Sequence, residues 1–276
     1  MLPKVAIITG SNKGIGFGLV KELCKIYDGH VYLTSRNKER GMKALEDLRS
    51  QGLNPLYHQL DIDDPESVIK MKNNMNEEHG GVDVLINNAA IAFKPRHSVP
   101  FKDQAKLTVK TNFFSTLNVC SEMLEIMRPN GRVVNISSSL GHKALKESSE
   151  DLQKIFTSDE LTMKELHKQM CRFVELAQED KHLEAGFTDH AYSVSKLGLT
   201  AATNILGKDE DLIKSNILVN CCCPGWINTD MGGPRAIKTV DHAVINSLFL
   251  ALLSQGDSFP QGKYFNQGKL TDWQSL

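Results

Sequence analysis

Short, wholly apolar runs alternate with stretches whose apolar residues recur every third or fourth position, and this alternation runs through the whole sequence. A continuous apolar run suits a strand buried on both faces of a parallel sheet, whereas the longer period marks an amphipathic helix. Lys4–Thr9, Val31–Thr34, Leu56–Leu60, Val82–Ile86, Arg132–Ile136, Ile217–Cys222 and Gly262–Phe265 are therefore predicted strands. Helices are predicted between them. Leu19, Val20, Leu23 and Ile26 share a face after the first strand, and Asn37 caps the helix after the second. Asp64 followed by Pro65 starts a third helix, ending near His79, because proline fits a first turn where its missing N–H is not needed. Further helices are expected over about 101–127, broken by Pro129-Asn130-Gly131, from Ala191 onward, and over about 241–253.

Between the fifth strand and Ala191 the chain is far longer than one strand-to-helix connection requires. Thr157-x-x-Glu160 and Thr162-x-x-Glu165 read as capping boxes there, and Leu166, Met170, Phe173, Val174 and Ala177 follow helical spacing. A helical insertion at about 143–188 is predicted, either as a cover over neighbouring helices or as a substrate lid. The whole reads as one α/β domain over 1–276: a doubly wound parallel seven-stranded sheet of Rossmann type, with the insertion between strand 5 and the helix at 191.

With 276 residues, 41% of them hydrophobic, the chain can bury a full core. A net charge of -1 argues against a nucleic-acid surface and a polybasic membrane face, which leaves small molecules as the expected partners. No apolar stretch approaches the roughly 18 residues that a membrane helix needs. Met1 to Lys4 leads straight into the first strand, too short for a signal peptide, and Gln274-Ser275-Leu276 is not a peroxisomal tail, so a cytoplasmic location is expected. Cys24, Cys120, Cys171, Cys221, Cys222 and Cys223 form no C-x-x-C pair or metal-ligand spacing, so they read as reduced thiols and no metal is expected.

The candidate chemistry gathers at strand ends. Thr9-Gly10-Ser11-Asn12-Lys13-Gly14-Ile15-Gly16 joins the first strand to a helix, the arrangement that offers free N–H groups and a positive dipole end to a diphosphate. The second strand ends at Ser35-Arg36-Asn37 with no carboxylate at its tip. Arg36, Arg40 and Lys13 instead supply three cations, which predicts NADP(H) over NAD(H). Asp61, followed by Ile62, either accepts from an adenine amino group or caps a turn, and Asn87-Asn88-Ala89 falls at the ligand-binding edge. Asn112, a mediocre helix former inside a predicted helix, invites explanation. One hydroxyl of Ser137-Ser138-Ser139 is well placed to hold a carbonyl oxygen. Tyr192 and Lys196 stand at i and i+4, so a helix brings phenol and ammonium to one face. A neighbouring cation favours the phenolate and moves a pKa near ~10 toward a useful range. An ordinary amphipathic helix would also place them so.

Gly10-x-x-x-Gly14-x-Gly16, Asn87-Asn88-Ala89, Asn112, Ser138 and Tyr192-x-x-x-Lys196, in that order, resemble the short-chain dehydrogenase/reductase family along the whole chain. Thr9–Gly16, His58–Asp64, Lys110–Phe114 and Cys222–Trp226 resemble its monomeric NADPH-dependent carbonyl reductases in particular. The resemblance implies strand order 3-2-1-4-5-6-7 and a catalytic tetrad. Tyr192 would protonate the substrate oxygen, Ser138 polarise it, Lys196 lower the Tyr192 pKa and bind the nicotinamide ribose, and Asn112 hold a relay water. Asn88 would join the cofactor site, with backbone near Ile227 and Thr229 holding the carboxamide. Trp226 and Met231 would line an apolar substrate pocket. Phe93, Lys94, Pro95 and Gln104 match positions that would contact glutathione. Expected substrates are quinones, ketones and aldehydes, with prostaglandins and glutathione conjugates as further candidates, and the implied state is a monomer. Ala90 departs from the glycine usual after Asn-Asn-Ala. A dedicated steroid, prostaglandin or alcohol dehydrogenase and a non-catalytic NADP-binding regulator are the alternatives on the same fold.

Overall fold

The computed structural model describes residues 2–94, 98–254 and 260–274. Its strands are β1 (Lys4–Ile8), β2 (Gly29–Ser35), β3 (Leu56–Gln59), β4 (Val82–Asn87), β5 (Met127–Ile136), β6 (Leu218–Cys223), β7 (Tyr264–Asn266) and β8 (Lys269–Thr271), ordered β3-β2-β1-β4-β5-β6-β7-β8. The first seven are parallel and follow the expected order, but the sheet has eight strands, because β8 turns back antiparallel along β7. Three residues, two of them exposed, leave no apolar run for the sequence pattern to register.

The helices are α1 (Gly14–Ile26), α2 (Lys38–Arg49), α3 (Pro65–His79), α4 (Phe101–Val109), α5 (Thr116–Leu124), α6 (Ser139–Glu147), α7 (Glu150–Thr157), α8 (Met163–Gln178), α9 (Ala191–Leu206), α10 (Glu210–Lys214) and α11 (Val240–Ala251). Successive strand residues point to opposite faces, so each strand feeds two cores. Ala6, Ile8, Val31 and Leu33 pack under α1 and α11, while Val5, Ile7, Leu85 and Val133 pack under α3 and α5. A third core joins α4, α6, α8 and α9 through Val109, Leu145, Phe173 and Leu197, and it also buries Trp273. The Trp273 carbonyl oxygen lies 2.5 Å from His142 Nδ1 on α6. Among the described residues, no helix is long and apolar enough to cross a membrane.

Three local expectations change. The helix predicted over 101–127 is α4 and α5 separated by a π-helical turn, Lys110–Ser115. Pro129-Asn130-Gly131 lies inside β5, where the β4 ladder shifts register, so the missing proline N–H costs no regular pair. Thr157 does not cap a helix. It ends α7 and its hydroxyl donates back to the Gln153 carbonyl at 2.8 Å, while Ser149 caps α7 and Thr162 caps α8 as expected.

Candidate active site

The glycine turn sits where β1 meets α1. Gly10 and Gly14 have φ of 60° and 59°, in the left-handed region that favours glycine. A Cβ on Gly16 would stand 2.5 Å from Asn88 Nδ2 and 2.7 Å from Ser11 Cα. Asn88 explains the closeness: its amide donates to the Thr9 and Gly10 carbonyls at 2.9 and 3.0 Å. Thr9 Oγ1 in turn accepts the backbone N–H groups of Asn88 and Ala89, both at 3.0 Å. Ser11 ties the turn to β2, donating to the Ile8 carbonyl and accepting from Thr34 N–H. Lys13 occupies the cap position of α1 without a capping side chain, and the first turn carries no acid. The N-terminal N–H groups of α1 are thus left for a ligand, with half-buried Asn12 and Ile15 on the same turn. A diphosphate fits this cradle.

Arg36 and Arg40 are exposed at the junction of β2 and α2. Lys13 is also exposed, and it pairs with Asp230 at 2.7 Å. That pairing holds the Asp230 carboxyl below the usual carboxylate range. The Lys94 ammonium donates to the Asp230 carbonyl, so one residue bridges the glycine turn and the segment after β4. Asp61 caps a turn with Oδ1, which accepts from Asp63 N–H at 3.0 Å, and Ile62 beside it is buried.

Opposite the glycine turn, α9 carries Tyr192 and Lys196. Lys196 is only 2% exposed. Its ammonium donates to the Ile136 carbonyl at 2.6 Å and lies 5.7 Å from the centre of the Tyr192 ring. Burial lowers Lys196 to about 8. Burial pushes Tyr192 up to about 12, Cys223 adds to the rise, and a hydrogen bond with Ser138 opposes it. Lost hydration is the largest influence on the Tyr192 hydroxyl here.

The three serines separate by environment. Ser137 is buried, bonded to Thr200 Oγ1 at 2.6 Å and donating to the Lys196 carbonyl at 3.2 Å. Ser139 is exposed and accepts from the Cys223 thiol at 3.7 Å. Ser138 caps α6, accepting from Leu140 N–H at 3.2 Å, and reaches Tyr192. Helix α6 is held against α9 at Gly141, where a Cβ would lie 2.6 Å from Leu197 N and 2.7 Å from the Lys196 carbonyl carbon.

Asn112 is fully buried in the π-turn. Its side chain accepts from Ile91 N–H at 2.8 Å and donates to the Ile91 carbonyl and to Ser195 Oγ at 2.9 and 3.1 Å. Ser195 donates onward to the Tyr192 carbonyl at 2.7 Å. With both amide hydrogens engaged, the Asn112 side chain braces the Ile91 backbone and Ser195.

The segment after β6 covers the glycine turn. Thr229 lies 3.5 Å from where a Gly14 Cβ would stand, and Ile227 is buried. Trp226 is 55% exposed, its indole N–H donating to the Gly232 carbonyl, and Met231 is 41% exposed. Gln104 is half-buried on α4, its amide donating to the Val99 carbonyl at 2.8 Å. Phe93 and Lys94 follow β4, and Pro95 lies outside the described residues. Sequence patterns included Thr9 and Ser11 in the glycine turn and Asp63 in the His58–Asp64 match without giving them a role of their own, and did not single out Ser195. A polar residue ending an apolar strand was the available signal for Thr9.

A dinucleotide cradle facing a Tyr-x-x-x-Lys helix defines a reductase of the short-chain type. The short chain dehydrogenase family model matches residues 4–150, and the chain belongs to that family. It is 44% identical to rat (Rattus norvegicus) carbonyl reductase (NADPH) 1 over 271 residues, 98% of each chain, and 46% identical to mouse (Mus musculus) carbonyl reductase (NADPH) 3, again over 98% of each. Among solved structures it is similar to salutaridine reductase of Papaver somniferum, with TM-score 0.84 and 25% identity, covering 95% of this chain and 99% of that one.

Proposed function

We propose that this chain reduces carbonyl compounds to alcohols with NADP(H), with Tyr192 as the proton donor. The observation that carries the reading is the Tyr192 hydroxyl bonded to Ser138 with the Lys196 ammonium buried one turn away. NADPH, when bound, supplies the hydride to the carbonyl carbon. The glycine turn and the open N-terminus of α1 would hold its diphosphate, and Arg36, Arg40 and Lys13 its 2′-phosphate.

Burial keeps the Tyr192 phenol protonated, so the proton needed for reduction is in place, and Lys196 is the group that would ease its release. Ser138 would hold the substrate oxygen beside it. As the proton moves to that oxygen, the C=O π bond becomes an O–H bond and the Tyr192 phenolate remains. The Lys196 ammonium would then offset the new charge until solvent restores the proton by way of a water held at Asn112. Ile227 and Thr229 would orient the nicotinamide, and Trp226 and Met231 would receive the apolar part of the substrate.

The reading extends to glutathione conjugates, with Phe93, Lys94 and Gln104 as their wall and a glutathione carboxylate replacing the Asp230 carbonyl at Lys94. It treats 143–188 as an insertion of a single domain and the chain as a monomer, supported by the packing of α8 over α4 and α9, and it takes the location as cytoplasmic. The test is NADPH oxidation with menadione in wild type and Tyr192→Phe. A loss on the order of 10²-fold or more in kcat with NADPH still bound is expected. An unchanged rate in the variant would refute the assignment.

A further inference from the structure

Helix α4 does not run straight into α5, and the cause lies in another part of the chain. Both oxygens of the Asp63 carboxylate are used by the π-turn: Oδ2 accepts from Thr111 Oγ1 at 2.8 Å, and Oδ1 from Ser115 Oγ at 2.7 Å. These donors flank Asn112 near the two ends of the turn. A second side chain favours the same geometry, since Thr116 Oγ1 donates to the Thr111 carbonyl at 3.2 Å, five residues back. A π-turn is less favourable than the α-helix it interrupts, so a local constraint has to hold it. The Asp63 carboxylate is that constraint.

The consequence is felt at the proton donor. Shifting the π-turn into α register would rotate Asn112 away from Ile91 and from Ser195. Ser195 would lose the partner that supports its bond to the Tyr192 carbonyl. We propose that Asp63 is a positioning residue for carbonyl reduction: its carboxylate fixes the π-turn that presents Asn112, and through Asn112 the Ile91 backbone and the start of the Tyr192 helix. The proposal rests on Asn112 serving the proton path. Asp63 itself touches neither the glycine turn nor Arg36, so binding of NADPH is predicted to survive its loss. The backbone N–H of Asp63, which the Asp61 carboxylate accepts, is unchanged by substitution.

The experiment compares wild type, Asp63→Asn, Asp63→Ala, Asn112→Ala and the double variant Thr111→Val/Ser115→Ala. The readouts are kcat and KM for menadione, the pH profile of kcat, the NADPH dissociation constant by fluorescence, and thermal melting. The expected result is a kcat reduced by about tenfold or more in Asp63→Ala. Asp63→Asn should be intermediate, because its amide still accepts one of the two bonds. The double variant should match Asp63→Ala. NADPH dissociation constants should stay within about twofold of wild type, and the pH profile should shift in the direction seen for Asn112→Ala. A lowered melting temperature with kcat and pH profile unchanged would show that Asp63 is structural only and would overturn the proposal. If Asn112→Ala abolishes turnover while the Asp63 variants keep it, the proposal alone falls. If Asn112→Ala itself leaves turnover intact, the proton-path reading falls and takes the proposal with it. Should Asp63→Ala fail to fold, Asp63→Asn and the double variant decide the matter.

Discussion

Replacing Gly141 by alanine tests whether the contact between α6 and α9 sets the catalytic geometry. The new methyl carbon would lie 2.6 Å from Leu197 N and 2.7 Å from the Lys196 carbonyl carbon, both backbone atoms of α9. Ordinary carbon contacts begin near about 3.5 Å, so α6 must retreat by roughly 1 Å. Overpacking of this kind costs ~1–3 kcal/mol. For a chain of this length that is a fall in melting temperature of about 2–5 °C. Activity should suffer more than stability. Ser138 caps α6 and moves with it, and a displacement of about 1 Å at a catalytic group is worth on the order of 10²-fold in rate. The assay is menadione-dependent NADPH oxidation alongside thermal melting, with Gly52→Ala as control. Gly52 has φ of +79° and nothing within 4 Å of a built Cβ, so its variant should lose stability through backbone strain while keeping its rate. Wild-type melting and wild-type kcat in Gly141→Ala would refute the close-approach argument.

Two further outcomes are expected. Arg36→Ala and Arg40→Ala should each weaken NADPH binding by roughly 10- to 100-fold, the value of about 1.5–3 kcal/mol for a bond to a charged group, and leave NADH binding unchanged in a titration of both. For Lys196, the folded protein releases the proton near pH 8 while the unfolded chain holds it to about 10.5. Between those values the unfolded state binds more protons, so the cost of the buried ammonium disappears and stability rises with pH. The shift corresponds to about 3 kcal/mol. Cys120, Cys221 and Cys222, each pushed up to about 12, act in the opposite sense above about pH 9, so the informative quantity is wild type minus Lys196→Met in denaturant melts. That difference should grow in favour of wild type from pH 8 to 10.5, and a flat difference would contradict the burial argument.

Elements made by apolar burial or by a local cap were legible in the sequence: the first seven strands, their order once the resemblance was drawn, and the caps at Asn37, Asp64 and Thr162. Elements made by a polar contact between distant segments were not. The π-turn depends on a carboxylate far away in sequence, which helical periodicity cannot report, although Asn112 marked the place. Thr157 matched a capping box because Thr-x-x-Glu is indifferent to which end of a helix it occupies. The NADP cations were legible as charges, but the pairing of Lys13 with Asp230 was not, since it joins segments far apart in the sequence. Ser138 could be separated from its neighbours only once Thr200 and Cys223 were seen to occupy them.

The burial of Trp273 against α6 has a consequence for the order in which the molecule matures. Ribosomes deliver the nucleotide-binding half first, and domains condense as chain becomes available. The wall bearing Ser138, however, rests on a side chain and a carbonyl supplied far later in synthesis. A nascent chain would therefore acquire its cofactor cradle well before its proton-donating wall is braced.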